Sequence, residues 1–193
     1  NGRFLIRCSL QQVDGGLQGA VYPLTKLGET NGLEEFLGPM SVTFGPQGEL
    51  YVGSIHDSGW VGGLNTGDIV RLTPNDQLPN GLREVQATAD GFMLSFVHPV
   101  DQAKAAVANA YKVSGATRVW QGTYATEDSV RHTAAVQKVS ISEDGREVRL
   151  MLPGLKPGHV YEVNVDAIGT VAQPRLWPNT ASYFLKRLPA ETK

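Results

Sequence analysis

The sequence predicts an all-β protein in two parts: the last blade or blades of a partial β-propeller, followed by an antiparallel β-sandwich. Three observations lead to this prediction. Short runs alternate apolar and polar residues along most of the chain, and turn residues separate these runs. The composition changes from Gly-rich to Gly-poor at the Pro- and Asn-rich stretch of residues 73–81. We therefore divide the chain into residues 1–74 and 82–189, with a linker at 75–81 and a tail at 190–193.

Composition argues against two classes of protein. Of the 193 residues, 41% are hydrophobic and 19% are charged, as is typical of a globular chain. The net charge of −2 does not favour a nucleic-acid binder, which usually carries a basic stripe. No apolar run approaches the roughly 20 residues that span a bilayer, so no transmembrane segment is predicted.

The first residues already read as a strand. The strand signal covers residues 3–10, and no segment with the character of a signal peptide precedes it. We expect the chain to be an incomplete piece of a larger protein. Its single cysteine, Cys8, lies in this strand and is expected to be a small buried hydrophobe. One cysteine allows neither an intrachain disulfide nor a CxxCH haem motif.

The first part contains strands at short, regular intervals. Its strand signals and turns are residues 3–10, the turn at 15–16, residues 19–24, residues 40–44, the turn at 45–48, and residues 49–54 and 67–72. A strand, a GPxG turn, a second strand, a loop and a third strand is the order of three strands in one propeller blade. Three short strands leave an apolar face uncovered, so one blade is not expected to be stable alone.

Residues 1–74 resemble the final blades of the soluble quinoprotein glucose/sorbosone dehydrogenase family. The strings that carry this resemblance are LQGAVYPL, GPMSVTFGPQGELYVGS and GDIVRL. In that family, pyrroloquinoline quinone lies over the propeller axis, held by His, Lys and Arg side chains from several blades. No residue of this chain matches a cofactor motif, so we predict no cofactor here. The alternative is that pyrroloquinoline quinone and calcium bind the complete parent protein.

The second part has the alternation and turns of a sandwich. The alternation at residues 160–165 predicts that Tyr161, Val163 and Val165 face the core. Asp101 is expected to cap a short Ala-rich helical segment. The strand, helix and turn signals are residues 92–97, 102–111, 136–141, the hairpin turn at 142–145, and residues 148–152, 159–165 and 181–185.

Residues 82–189 resemble the bacterial Ig-like domains of exported surface proteins. The matching strings are GFMLSFVHPVD, AYKVSG, VSISEDGREVRLMLPGLKPGHVYEVNV and ASYFLKRLP. A propeller end followed by an Ig-like tail is similar to large exported proteins of planctomycete- and verrucomicrobia-type bacteria, some of which carry cytochrome modules. The resemblance implies an exported protein, periplasmic or at the cell surface.

The loop at residues 55–66 is the strongest candidate for a ligand or partner contact. It is long for a turn within a blade and combines the aromatic plate of Trp60 with His56, Asp57 and Asn65. Sugars stack on aromatic faces and bond carboxylate and amide groups, so these residue types suit a polyol or glycan. The alternative is that Trp60 packs between blades or against the Ig-like domain.

Two further tryptophans are candidates for a sugar platform. Trp120 is paired with Tyr124, and Trp177 with Tyr183. Packing in the core or at a sheet edge is the alternative for both pairs.

The sequence contains no catalytic or metal-binding pattern. Its histidines lie far apart without the spacing of a zinc site. No histidine accompanies a GxSxG nucleophile motif, so no catalytic residue is predicted. The four histidines are His56, His98, His132 and His159.

The leading functional hypothesis is a non-catalytic interaction module, the C-terminal portion of an exported propeller protein. Its first part would complete its sheets against another polypeptide or another subunit of a complex, because isolated blade strands leave unpaired edges. One alternative is a part of a quinone-dependent sugar or alcohol dehydrogenase, with the Trp60 loop as one wall of its site. Another is glycan binding by the sandwich.

Overall fold

The computed structural model describes residues 4–25, 36, 38–56, 65–73, 79–122, 126–165, 168–170 and 175–190. Thirteen strands, a four-residue helix and a three-residue 3-10 turn make up the regular structure of these residues, which confirms the all-β prediction. The strands are β1 (Ile6–Val13), β2 (Gly16–Pro23), β3 (Pro39–Phe44), β4 (Leu50–His56), β5 (Thr66–Leu72), β6 (Leu82–Thr88), β7 (Gly91–Phe96), β8 (Lys112–Ala116), β9 (His132–Thr133), β10 (Lys138–Ile141), β11 (Glu147–Met151), β12 (His159–Asn164) and β13 (Thr180–Leu185). The helix α1 spans Gln102–Ala105, and the 3-10 turn spans Ala108–Ala110.

The strands form three antiparallel sheets in two compact units. The first unit, residues 1–6 and 23–78, holds the three-stranded sheet β3-β4-β5. The second unit, residues 7–22 and 79–193, holds a six-stranded sheet in the order β1-β2-β13-β12-β8-β9 and a four-stranded sheet in the order β10-β11-β7-β6. The propeller and Ig-like assignments of these units stay predictions.

The two sheets of the second unit pack against each other through aromatic side chains. Phe92 of β7 meets Tyr161 of β12 and Tyr183 of β13 edge to face, with ring centroids 5.8 and 5.3 Å apart. All three rings are fully buried. The predicted core face of β12 is confirmed, because Val163 and Val165 are buried alongside Tyr161.

Two local predictions in the second unit are also confirmed. The Asp101 carboxylate accepts hydrogen bonds from the backbone N–H groups of Ala103 and Lys104, at 3.1 and 3.2 Å, and so caps α1. The turn between β10 and β11 places Gly145 at a φ of 68°, as the hairpin signal predicted.

The strands β1 and β2 form a hairpin that belongs to the second unit. Its turn residues Asp14 and Gly15 have φ values of 46° and 73°, the left-handed pair that a type I′ turn requires. The strand β2 pairs with β13, where Ala20 lies opposite Tyr183. The sequence predicts that this hairpin belongs with the following three strands. The structure instead assigns residues 7–22 to the other unit.

Polar side chains of the hairpin bond the free edge of β6. This strand ends the four-stranded sheet, so one of its edges pairs with no described strand. The Tyr22 hydroxyl accepts a hydrogen bond from the Val85 N–H at 2.6 Å. The Gln11 side chain accepts from the Ala87 N–H at 2.8 Å and donates to the Ala87 carbonyl at 2.9 Å. Burial raises the pKa of the Tyr22 phenol above its ordinary value.

From Ile6 to Gln11, β1 therefore turns its polar residues inward and its apolar residues outward. The Arg7 guanidinium lies 4.0 Å from the centroid of the Tyr22 ring, and the Ser9 hydroxyl is 3.0 Å from the Tyr22 hydroxyl. On the other face, Leu10 is 67% exposed and Cys8 is exposed. The expectation that Cys8 is buried is wrong, because the inward face of β1 supplies polar partners to β6.

Candidate interaction surface

The three-stranded sheet of the first unit carries a small apolar core on one face. Val52 of β4 is completely buried and packs with Leu5 and Phe36. Val70 of β5 packs against the same cluster. The register places Val42 of β3 directly opposite Val52, so Val42 belongs to the same face of the sheet.

The apolar packing stops at β3. Val42 is 57% exposed and Phe44 is 79% exposed, although their cross-strand partners are Val52, which belongs to the core cluster, and Leu50, which packs against it. Met40, at the irregularity in the pairing of β3 with β4, is 72% exposed. We refer to Met40, Val42 and Phe44 as the β3 surface. It continues the apolar face of the sheet into solvent.

The outer edge of β3 also carries backbone groups that point away from the sheet. The Gly45 N–H donates to the Glu49 carbonyl at 2.8 Å, which marks these two residues as a hydrogen-bonded pair. Pair types alternate along an antiparallel ladder, so Thr43 bonds to β4, while Val42 and Phe44 direct their N–H and C=O groups outward. No described strand pairs with that edge.

These two features together define what the edge can do. A strand with unpaired backbone groups is a template for another strand, and its side chains select which strand is added. A strand added beside β3 would bond the outward groups and remove the β3 surface from water. Burying one valine or phenylalanine side chain stabilises by about 1.5–3 kcal/mol.

The predicted contact loop connects β4 to β5. His56 is the last residue of β4, is half-buried, and lies opposite Thr66 at the start of β5. Asn65 is exposed and has a φ of 52°. The register therefore brings His56 and Asn65 to the base of this loop. Asp57 and Trp60 lie outside the described residues, so the loop's role in sugar or quinone binding stays a prediction.

Trp120 lies on the surface of the second unit. Its side chain is 81% exposed, which favours the contact alternative over packing. Two residues before it, Arg118 forms an isolated bridge with Asp128, and their side chains make an ion pair at 3.3 Å. The proposed partner ring, Tyr124, lies outside the described residues.

The second aromatic pair does not form a platform. Tyr183 is fully buried, and its hydroxyl donates to Gln11 and accepts from Gln18. Trp177 is half-buried, and its backbone N–H donates to the Asn80 carbonyl at 2.7 Å. A sugar therefore cannot stack on both rings.

Two histidines that are distant in the sequence lie side by side. The ring centroids of His132 and His159 are 5.5 Å apart. Sequence spacing does not predict this pair, because strand pairing brings the two rings together. In the described ranges, no group of three or more His, Cys, Asp and Glu side chains is arranged to hold a metal ion.

The β3 surface was also missed, although residues 40–44 were predicted to be a strand. Alternation of apolar residues shows which side chains share a face, but it does not show whether anything covers that face.

Comparisons with protein-family models, with curated proteins and with solved structures returned no match. Within the part of the chain that the structure describes, no helix has the length and apolar character needed to cross a membrane.

Proposed function

We propose that this chain is a non-catalytic docking module that binds an extended segment of another polypeptide along the edge of β3. One observation carries the proposal: at Val42 and Phe44, outward backbone groups coincide with exposed apolar side chains. The added strand completes the sheet of a propeller blade. The parent protein is exported, and the second unit is its Ig-like sandwich.

The small core of the first unit supports this proposal. Within the described residues, its buried apolar cluster consists of Leu5, Phe36 and Val52. The corresponding cluster of the second unit has 25 members. A three-stranded sheet whose apolar face is exposed along one strand is marginal as an independent fold, so a partner strand would contribute stability as well as binding.

The β3 edge also sets the chemistry of the partner. The face that contains Val42 is apolar, whereas the opposite face carries Thr43, Tyr51 and Arg71 in one cross-strand row. A matching segment alternates apolar and polar residues, with the apolar ones on the side of Val42. It also lacks proline at the positions that donate to β3.

Replacing Val42 by lysine is expected to weaken strand binding by about tenfold or more, because it puts a charge at the centre of the interface. Random peptides displayed on phage are selected against the immobilised chain. The enriched peptides are expected to alternate between apolar and polar residues. Their affinities for the unmodified chain and for the Val42→Lys variant are measured by calorimetry.

Two variants sharpen this test. Thr43→Lys adds the same charge on the opposite face and is expected to retain binding. Val42→Pro removes only an outward N–H, so the fold is expected to persist while strand addition is blocked. Selection of peptides without alternation, or equal affinity for Val42→Lys and Thr43→Lys, contradicts the proposal. Pairing of β3 with β3 in a second copy appears as a concentration-dependent dimer in light scattering and also contradicts a separate partner.

A second candidate function, glycan binding, is favoured by the exposure of Trp120. We expect Trp120→Ala to reduce binding to a polysaccharide array by about tenfold or more, because an exposed indole would supply most of the contact. Val119→Ala, which changes the neighbouring 43% exposed side chain, serves as the control. Binding that is absent in the unmodified chain, or unchanged in Trp120→Ala, removes this candidate.

A further inference from the structure

The pair of His132 and His159 lies in the six-stranded sheet of the second unit. His132 is on the edge strand β9, and His159 begins β12, with β8 between them. Both side chains are half-buried, so solvent ions can reach them. The ring planes are inclined at 78°, with centroids 5.5 Å apart.

The surrounding residues hold the two imidazoles together. His132 and Tyr161 both lie opposite Gly115 of β8. A Cβ at Gly115 would stand 2.6 Å from the Tyr161 ring and 2.8 Å from the His132 ring, so glycine lets these rings meet. The buried Tyr161 ring lies 5.9 Å from His132 and 6.2 Å from His159 and forms a common wall behind them.

The tautomer of His159 is fixed by a backbone carbonyl. Its Nδ1 lies 3.2 Å from the Pro157 oxygen, which can only accept, so Nδ1 carries the proton. The lone pair of His159 is therefore on Nε2. A histidine that donates one ring N–H to a carbonyl and offers the other nitrogen is the usual arrangement of a metal-binding imidazole.

We propose that His132 and His159 form a two-imidazole site for a divalent transition-metal ion such as Zn²⁺, with water completing the coordination. Imidazole nitrogens suit zinc, copper and nickel, and not magnesium or calcium. Two imidazoles on one tetrahedral zinc ion have ring centroids about 5 Å apart, given a Zn–N distance of about 2 Å. The observed separation is close to this value. With only two protein ligands, the ion is exchangeable and open to an incoming anion or water.

The test is a Zn²⁺ titration of the full chain, followed by NMR of the histidine rings. The resonances of His132 and His159 are expected to shift together and to saturate at one equivalent. His132→Gln and His159→Gln are each expected to weaken binding by about tenfold or more. His98→Gln is the matched control, because His98 is also half-buried in the second unit. Mg²⁺ is expected to produce no shift.

A second measurement does not depend on how well the variants fold. Zn²⁺ is expected to raise the unfolding temperature of the unmodified chain, since an ion that binds only the folded state stabilises it. The proposal is overturned if Zn²⁺ shifts neither ring, if it shifts only one of them, or if His98→Gln weakens binding as much as His132→Gln. Those results leave the pair as a packing contact between aromatic rings.

Discussion

Residues 79–193 on their own are expected to lose most of the stability of the second unit, although they contain every strand from β6 to β13. The missing hairpin supplies Ala20 and Tyr22 to the core and the partners of the β6 edge. Without it, the buried N–H groups of Val85 and Ala87 lose their acceptors. A domain of this size has a free energy of unfolding of about 5–15 kcal/mol, so a loss of about 5 kcal/mol or more leaves little. Urea denaturation followed by circular dichroism measures this change.

The matched control keeps the hairpin and removes most of the first unit. In this control variant, a long, flexible Gly/Ser linker replaces residues 26–73, so that residues 7–22 remain beside β13 and β6. We expect it to unfold with the midpoint of the second unit in the full chain. If residues 79–193 unfold at that midpoint as well, the hairpin contributes nothing and the sequence-based boundary at 75–81 describes the domain better.

Local patterns predicted the strands that depend on nearby residues. The alternation at residues 160–165, the Asp101 cap and the turn at Gly145 all agree with the structure. Each of these signals is complete within a few residues, because a cap or a tight turn bonds its own neighbours. The sequence therefore established the all-β class and the core face of β12.

The position of the β1–β2 hairpin could not be predicted in this way. Assigning the inward face of a strand by its apolar residues assumes that the core is apolar there. The inward face of β1 instead meets a strand edge, which needs donors and acceptors, so Arg7 and Gln11 point inward and Leu10 points outward. The pairing of Ala20 with Tyr183 also joins distant parts of the chain, and no local pattern records it.

The candidate sites failed to emerge from the sequence for a related reason. His132 and His159 meet because β8 lies between their strands, which is a property of strand order and not of spacing. Val42 and the buried Val52 both lie in runs of alternating residues, so the sequence pattern does not distinguish them. They differ because Leu5 and Phe36 pack on Val52, whereas Val42 is exposed. Trp120, by contrast, was identified from its residue type alone, and its exposure keeps it as a candidate.

Replacing Tyr22 separates the two contributions of the hairpin. Tyr22→Phe keeps the ring but leaves the buried Val85 N–H without its acceptor, and is expected to lower the free energy of unfolding by about 1–3 kcal/mol. Tyr22→Ala also removes a completely buried ring, and the total loss is expected to be about 3–5 kcal/mol. Both losses in the free energy of unfolding are measured by urea denaturation, from the unfolding transition of the second unit.

The neighbouring residue on the same strand provides the control. Val21 points to the outer face and is 37% exposed, so Val21→Ala is expected to change the free energy of unfolding by less than about 1 kcal/mol. A large loss in Tyr22→Ala with a small loss in Val21→Ala requires that β2 belong to the second unit with its tyrosine facing inward. Equal losses in the two variants, or a loss confined to the first unit's transition, would contradict the observed position of the hairpin. The contrast between adjacent residues therefore tests directly which face of β2 points inward, since each orientation predicts the opposite ranking.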